Sequence, residues 1–197
     1  MTTEELEEFL QGQAETPTLD FKAASRWEVL KFAKDILAFS NVQDGGLIVV
    51  GIEDGTFARQ GISAEQRETY KIDIMRDQMA PFADPHVNFL VEFPTDREAK
   101  QYACIRIEPF EEIPIICRKD SADTQAGVVY YRNKNRRVES ARVSNSYDMR
   151  EIIEVATVRM MQRKQRVGFS IEGGSAPPEA NAFAEARAHY KRELGDL

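Results

Sequence analysis

The sequence predicts an α+β fold: a mixed sheet of about five strands with flanking helices, followed by a helical tail. Three observations carry this. "LIVVGI" (47–52) is an apolar run too short for a helix and too uniform for a half-wet strand, so it reads as the central strand. Val29, Phe32, Ala33 and Ile36 recur at helical spacing opposite a polar stripe of Glu28, Lys31 and Asp35, so 27–40 reads as a helix packed on the core. "VNFLVEF", "QYACIRIEPF" and "GVVYYRN" have strand composition, the first two joined by the polar "PTDREAK".

The remaining elements follow in order. "TTEELEEFLQG" offers a Thr cap, acidic residues in the first turn, apolar Leu6, Phe9 and Leu10, and Gly12 at the end, so it reads as a short helix. "TLDFK" alternates Leu19 and Phe21 with Thr18, Asp20 and Lys22, a strand with one wet side. "SNVQDGG" breaks the helix before the central strand, and "EDGT" turns the chain after it. A second amphipathic helix is expected from Glu65 to Met79, ended by Pro81. After Asn145 or Ser146 as a cap, a third helix places Met149, Ile152, Ile153 and Ala156 on one side. Its basic end, Arg159, Arg163, Lys164 and Arg166, reads as an exposed face. The organisation expected is a domain over 1–167, a Gly/Pro-rich linker over 168–181 and a charged carboxy-terminal helix over 182–197.

Composition narrows the function. No apolar stretch in the 197 residues is long enough to span a bilayer, so no membrane partner is expected. The amino terminus is acidic and polar, which places the protein in the cytoplasm. Cys104 and Cys117 sit in apolar surroundings without the pairing of a zinc or redox motif, and His86 and His189 are poorly placed to serve as bases. A net charge of -7 weighs against a broad nucleic-acid surface, so any basic surface must be local.

Two short acidic segments stand out: Glu15 and Asp20 at the first strand, and Glu53 and Asp54 after the central one. If those strands are neighbours, Asp20 and Asp54 converge. A continuous strand would hold Glu15 about 16 Å from Asp20, so Glu15 joins them only if Thr16-Pro17 bends the chain back. Carboxylates brought together repel unless a cation neutralises them, and Mg²⁺ or Mn²⁺ would do so and could activate water for phosphodiester cleavage. The alternative is structural: a turn at Asp54-Gly55, an Asp20–Lys22 pair and a solvated Glu15.

Two further motifs have similar double readings. "YYRNKNRR" sets aromatic residues, Tyr131 among them, beside Arg132, Lys134, Arg136 and Arg137, which can stack on bases and track phosphates or form a solvated hairpin end. Gly45-Gly46 lacks both the P-loop lysine and the G-x-G-x-x-G spacing, so ATP is a weak expectation and tight packing at the strand entry the better one.

Taken in order, "ETPTLDFK", "DILAFSNVQDGGLIVVGIEDG", "IPIICRK" and "VVYYRNKNRRVESAR" resemble the Schlafen AlbA-type domain family over about the first 145 residues. The resemblance implies a nucleic-acid-binding α+β domain. In nuclease members it implies cleavage of structured, tRNA-like RNA by three carboxylates with Mg²⁺ or Mn²⁺, here Glu15, Asp20 and Asp54. Lys22 matches the motif lysine that contacts phosphate, and Asn41 matches the asparagine before the glycine pair. Position 20 carries Asp where the family pattern has Glu, one extra residue separates Asn41 from Gly45, and the zinc site of larger relatives has no counterpart.

The resulting expectation is a metal-dependent endoribonuclease, with a non-catalytic DNA- or RNA-binding regulator as the alternative. A nucleotide-responsive interaction protein is a third reading. A homodimer is expected by analogy with larger relatives that join two such lobes.

Overall fold

In the computed structural model, which describes residues 1–12, 14–133 and 138–168, the parallel strand pair at the first acidic motif organises the rest. β1 (Leu19–Lys22) pairs with β2 (Gly46–Val50), Leu19 opposite Leu47 and Lys22 opposite Val50. Parallel neighbours need a crossover, and α2 (Val29–Ser40) supplies it. β2 is flanked on its other side by antiparallel β5 (Ala103–Ile107), which pairs with β4 (Phe89–Glu92). The principal sheet is therefore mixed, in the order β1-β2-β5-β4.

Both faces of this sheet are covered, which explains the uniform apolarity of "LIVV". Ile48 and Val50 face α2 with Ala103, Ile105 and Ile107, against Phe32, Ala33, Ile36 and Phe39. Leu47 and Val49 join Leu19, Phe21, Tyr102 and Cys104 in a second cluster with Leu6 and Leu10 of α1 (Thr3–Gln11). α1 starts at a capping box in which Thr2 Oγ1 accepts from the Glu5 amide and the Glu5 carboxylate accepts from the Thr2 amide. On its inner side, Glu7 takes a two-pronged ion pair from Arg59, both contacts 3.0 Å. Cys104 and Cys117 are core residues, as their surroundings predict, and burial pushes the Cys104 thiol up to about 12.

Four elements differ from the sequence reading. The expected helix 65–79 is two pieces, α3 (Ala64–Arg67) and α4 (Ile72–Met79), because Thr69 and Tyr70 between them are tied to the segment before α2. Thr69 Oγ1 accepts from the Trp27 amide, and the Tyr70 hydroxyl donates to the Ser25 carbonyl. Two residues each form β3 (Ala83–Asp84) and β6 (Ile116–Cys117), a small antiparallel ladder. "YYRN" is not a fifth strand of the principal sheet: β7 (Tyr130–Asn133) pairs with β8 (Glu139–Arg142) as a separate ladder lying on α2.

The fourth difference is α5 (Ser146–Arg166), capped through Asn145, whose side-chain oxygen accepts from the Asp148 amide. Ile152 and Ala156 are buried, whereas Met149 and Ile153, expected on the same side, are exposed. Arg159 is not part of a free basic face either: it donates to the Phe110 and Gln43 carbonyls and lies over the Phe110 ring. By its contacts the chain forms two units, Met1–Met160 and Met161–Leu197. The expected linker lies outside the described residues apart from Gly168, and the carboxy-terminal helix lies wholly outside them. Among the described residues no helix is long and apolar enough to cross a membrane.

Candidate nucleic-acid site

The bend that Glu15 needs is present. Thr16 and Leu19 exchange backbone hydrogen bonds of 3.0 and 3.2 Å across Pro17-Thr18, folding the chain back so that Glu15 and Asp20 reach the same guanidinium. That guanidinium is Arg132 of β7. Its Nη1 donates to Asp20 Oδ1 at 3.0 Å, and its Nη2 donates to the Thr16 and Leu19 carbonyls at 3.3 Å each. Glu15 Oε2 is 3.8 Å from Nη2, and Ser140 Oγ of β8 is 3.5 Å from Nη1. The group lies over the Phe39 ring of α2, 4.8 Å from its centroid.

Asp20 is held from a second side. Lys22 Nζ is 3.1 Å from Asp20 Oδ2 and 2.6 Å from Asp35 Oδ2. The Asp20 contact is an ion pair without hydrogen-bond alignment, so Oδ2 has no hydrogen bond, and neither has Arg132 Nε. Burial alone would pull the Lys22 ammonium down, but Asp35 and Asp20 overturn that and hold its proton well above the usual range. The pKa of Glu15 is also raised, which for a carboxylate disfavours the charged form. Burial raises its pKa first, and the charges of Asp20 and Asp54 add to the rise while Arg132 opposes it.

Two packing residues make this arrangement possible. An added Cβ at Gly46 would stand 1.9 Å from Phe39 Cδ1, and Gly45 has φ +70° with the Ile107 carbonyl 2.2 Å from its would-be Cβ. Gly46 thus lets Phe39 lie against β2 as the plate beneath Arg132, and Gly45 lets the chain entering β2 pass close to the end of β5. Asn41, expected as a loop residue beside the site, is instead a buried clamp. Its amide nitrogen donates to the Leu37, Ile115 and Tyr130 carbonyls, and its oxygen accepts from the Ile115 amide, tying the end of α2 to β6 and β7.

Glu15, Asp20, Lys22, Lys34, Arg132 and Ser140 line a cavity of about 260 Å³. A second cavity of about 540 Å³ shares Lys34, Asp123 and Ser140 and extends to Arg142. Lys34 and Arg142 take part in no ion pair among the described residues. Asp54 lies exposed on the turn after β2 and lines neither cavity.

These positions test the metal expectation. Carboxylate oxygens suit Mg²⁺ or Mn²⁺, but the faces of Asp20 that an ion would use are taken by Arg132 and Lys22. Among the described residues no three Asp, Glu, His or Cys side chains are grouped to hold a metal. As arranged, the residues do not fit a divalent ion.

The basic motif also needs correction. Tyr131 is buried, with its hydroxyl donating to Glu151, so its ring is core and not a stacking platform. Arg132 is 1% exposed and faces carboxylates and carbonyls where a phosphate contact was expected. Lys134, Arg136 and Arg137 lie outside the described residues. Asp35, which the sequence reading places only in the polar stripe of its helix, is a site residue that reading does not single out. The signal was there: it is three residues after Phe32 and four before Phe39, on the apolar face of α2.

A family model described as Schlafen, AlbA_2 matches residues 15–141, a span that runs from Glu15 through the Arg132 strand to Ala141. The chain belongs to the Schlafen AlbA_2 family. As a Schlafen AlbA_2 domain it falls in a nucleic-acid-binding family of α+β build. Among curated proteins none matches it. Among solved structures it is similar to the DIP2311 protein of Corynebacterium diphtheriae, with 17% identity and a TM-score of 0.49. That similarity covers 75% of this chain and 27% of the other, so this Schlafen AlbA_2 chain spans well under half of that protein's length.

Proposed function

We propose that the domain binds RNA of structured, tRNA-like form, tracking its backbone along the two adjoining cavities between α2 and the β7–β8 ladder. The observation that carries this is the pair Lys34 and Arg142, two cations bordering the cavities without an ion pair among the described residues. Phosphates are neutralised by such uncommitted cations, and an acidic protein needs them concentrated in one place. A homodimer belongs to this proposal on the strength of the family resemblance alone.

The test is a gel shift with end-labelled tRNA in EDTA. Wild type binds with strong salt dependence, and Lys34→Glu with Arg142→Glu weakens binding at least tenfold. Equal binding by wild type and the double variant would sink the assignment.

The second reading, taken from the family resemblance, is a metal-dependent endoribonuclease using Glu15, Asp20 and Asp54 with Mg²⁺ or Mn²⁺, which requires Arg132 and Lys22 to release Asp20 first. The raised pKa of Glu15 favours it: burial is the main cause and the charges of Asp20 and Asp54 add to it, so Glu15 is short of compensating positive charge. Incubating the same tRNA with Mn²⁺, Mg²⁺ or EDTA separates the readings. Cleavage that needs both the ion and Asp54 supports the nuclease, and intact RNA under all three conditions supports binding without catalysis.

A further inference from the structure

The Asp20 carboxylate is surrounded as a metal ligand would be, yet the group at the centre is a side chain of the protein. Around the Arg132 guanidinium stand oxygens of Asp20, Glu15, Thr16, Leu19 and Ser140, at 3.0 to 3.8 Å. Two are carboxylates, two are backbone carbonyls and one is a hydroxyl, the hard-oxygen set that a divalent cation collects. A guanidinium offers the same service differently. Its planar fork reaches several oxygens at once, its charge is permanent, and its flat face is accommodated by Phe39.

We infer that Arg132 stands in the place of a cation, so that this chain neutralises its Glu15–Asp20 pair internally and holds no divalent ion there. Lys22 completes the arrangement by covering the other oxygen of Asp20 and bridging it to Asp35 on α2. The β1 end, α2 and β7 are thus joined through charge at the point where an ion would otherwise join them. The inference is independent of nucleic-acid binding, because it is read from the protein alone.

Purified wild type, Glu15→Gln and Arg132→Gln are titrated with Mn²⁺, following water-proton relaxation for bound ion and thermal melting for stabilisation. Wild type is expected to show no Glu15-dependent binding in the millimolar range. Arg132→Gln, melting lower than wild type without metal, is expected to gain Mn²⁺ binding and recover part of the lost melting temperature. Mn²⁺ bound by wild type and lost in Glu15→Gln overturns the inference. So does a folded Arg132→Gln that ignores Mn²⁺. If Arg132→Gln does not fold, the comparison of wild type with Glu15→Gln still decides. A failed tRNA gel shift with this ion behaviour intact would count against the RNA reading alone.

Discussion

Arg132 of β7 lies over the ring of Phe39 of α2, 4.8 Å from its centroid, while its nitrogens face the turn that brings Glu15 back to Asp20. One aromatic ring therefore supports a charge that joins three elements distant in sequence. Phe39→Leu keeps an apolar filling but removes the ring face, at an expected cost of about 1–2 kcal/mol. Phe39→Ala adds a cavity and costs about 3–5 kcal/mol. Urea unfolding of both variants measures the difference, and a Phe39→Leu variant as stable as wild type would show that the ring acts only by volume.

Gly46→Ala pushes a methyl group into Phe39 and is expected to cost about 1–3 kcal/mol by overpacking. Gly12→Ala is the control. Gly12 has φ -65° and no atom nearer than 3.8 Å to an added Cβ, so that change leaves stability equal or raises it by up to about 1 kcal/mol. Thermal melts of the pair decide whether the glycine pair matters for packing or for freedom of the loop.

Asn41→Asp keeps the shape and the acceptor for the Ile115 amide but loses the donor shared by the Leu37, Ile115 and Tyr130 carbonyls. Leaving buried carbonyls facing a carboxylate costs about 3 kcal/mol or more. Hydrogen exchange should accelerate most along β7. Unchanged exchange there would mean that β7, and Arg132 with it, is held by other contacts.

Alkaline pH tests the junction between α3 and α4. Burial pushes the Tyr70 phenol from 10.0 up to about 12. The folded protein then keeps a proton that the unfolded chain gives up first, so the contribution of Tyr70 is fully present below pH 10 and declines as pH rises to about 12. The loss approaches about 3 kcal/mol, at about 1.4 kcal/mol per pH unit. Tyr70→Phe is expected to cost about 1 kcal/mol at neutral pH, because the Ser25 carbonyl loses its donor, and to lose less stability than wild type above pH 10. Denaturant midpoints across that range check it.

Much of the local architecture is written in short-range patterns. Period-two apolarity at β1, the helical spacing of Phe32, Ile36 and Phe39, the Thr cap of α1 and the Asn145 cap of α5 each depend on a few neighbouring residues, and each is where the sequence places it. So is the chemistry of the first motif: a proline able to bend the chain between Glu15 and Asp20 is visible in eight letters.

What the sequence determined by itself is thus the α+β build, the succession of strand, packed helix and apolar central strand at the first motif, and the motif order shared with the Schlafen AlbA_2 family, whereas the parallel pairing of β1 with β2 came from the structure. Tertiary structure alone decided what the charges do. Arg132 is 112 residues from Asp20, and Lys22 finds Asp35 on the crossover helix α2, so neither pairing leaves a local pattern. A buried charge is costly until it meets a partner, and which partner it meets depends on how α2 and β7 pack. In this chain that packing turned an expected phosphate-binding arginine and an expected metal-binding aspartate into partners of each other.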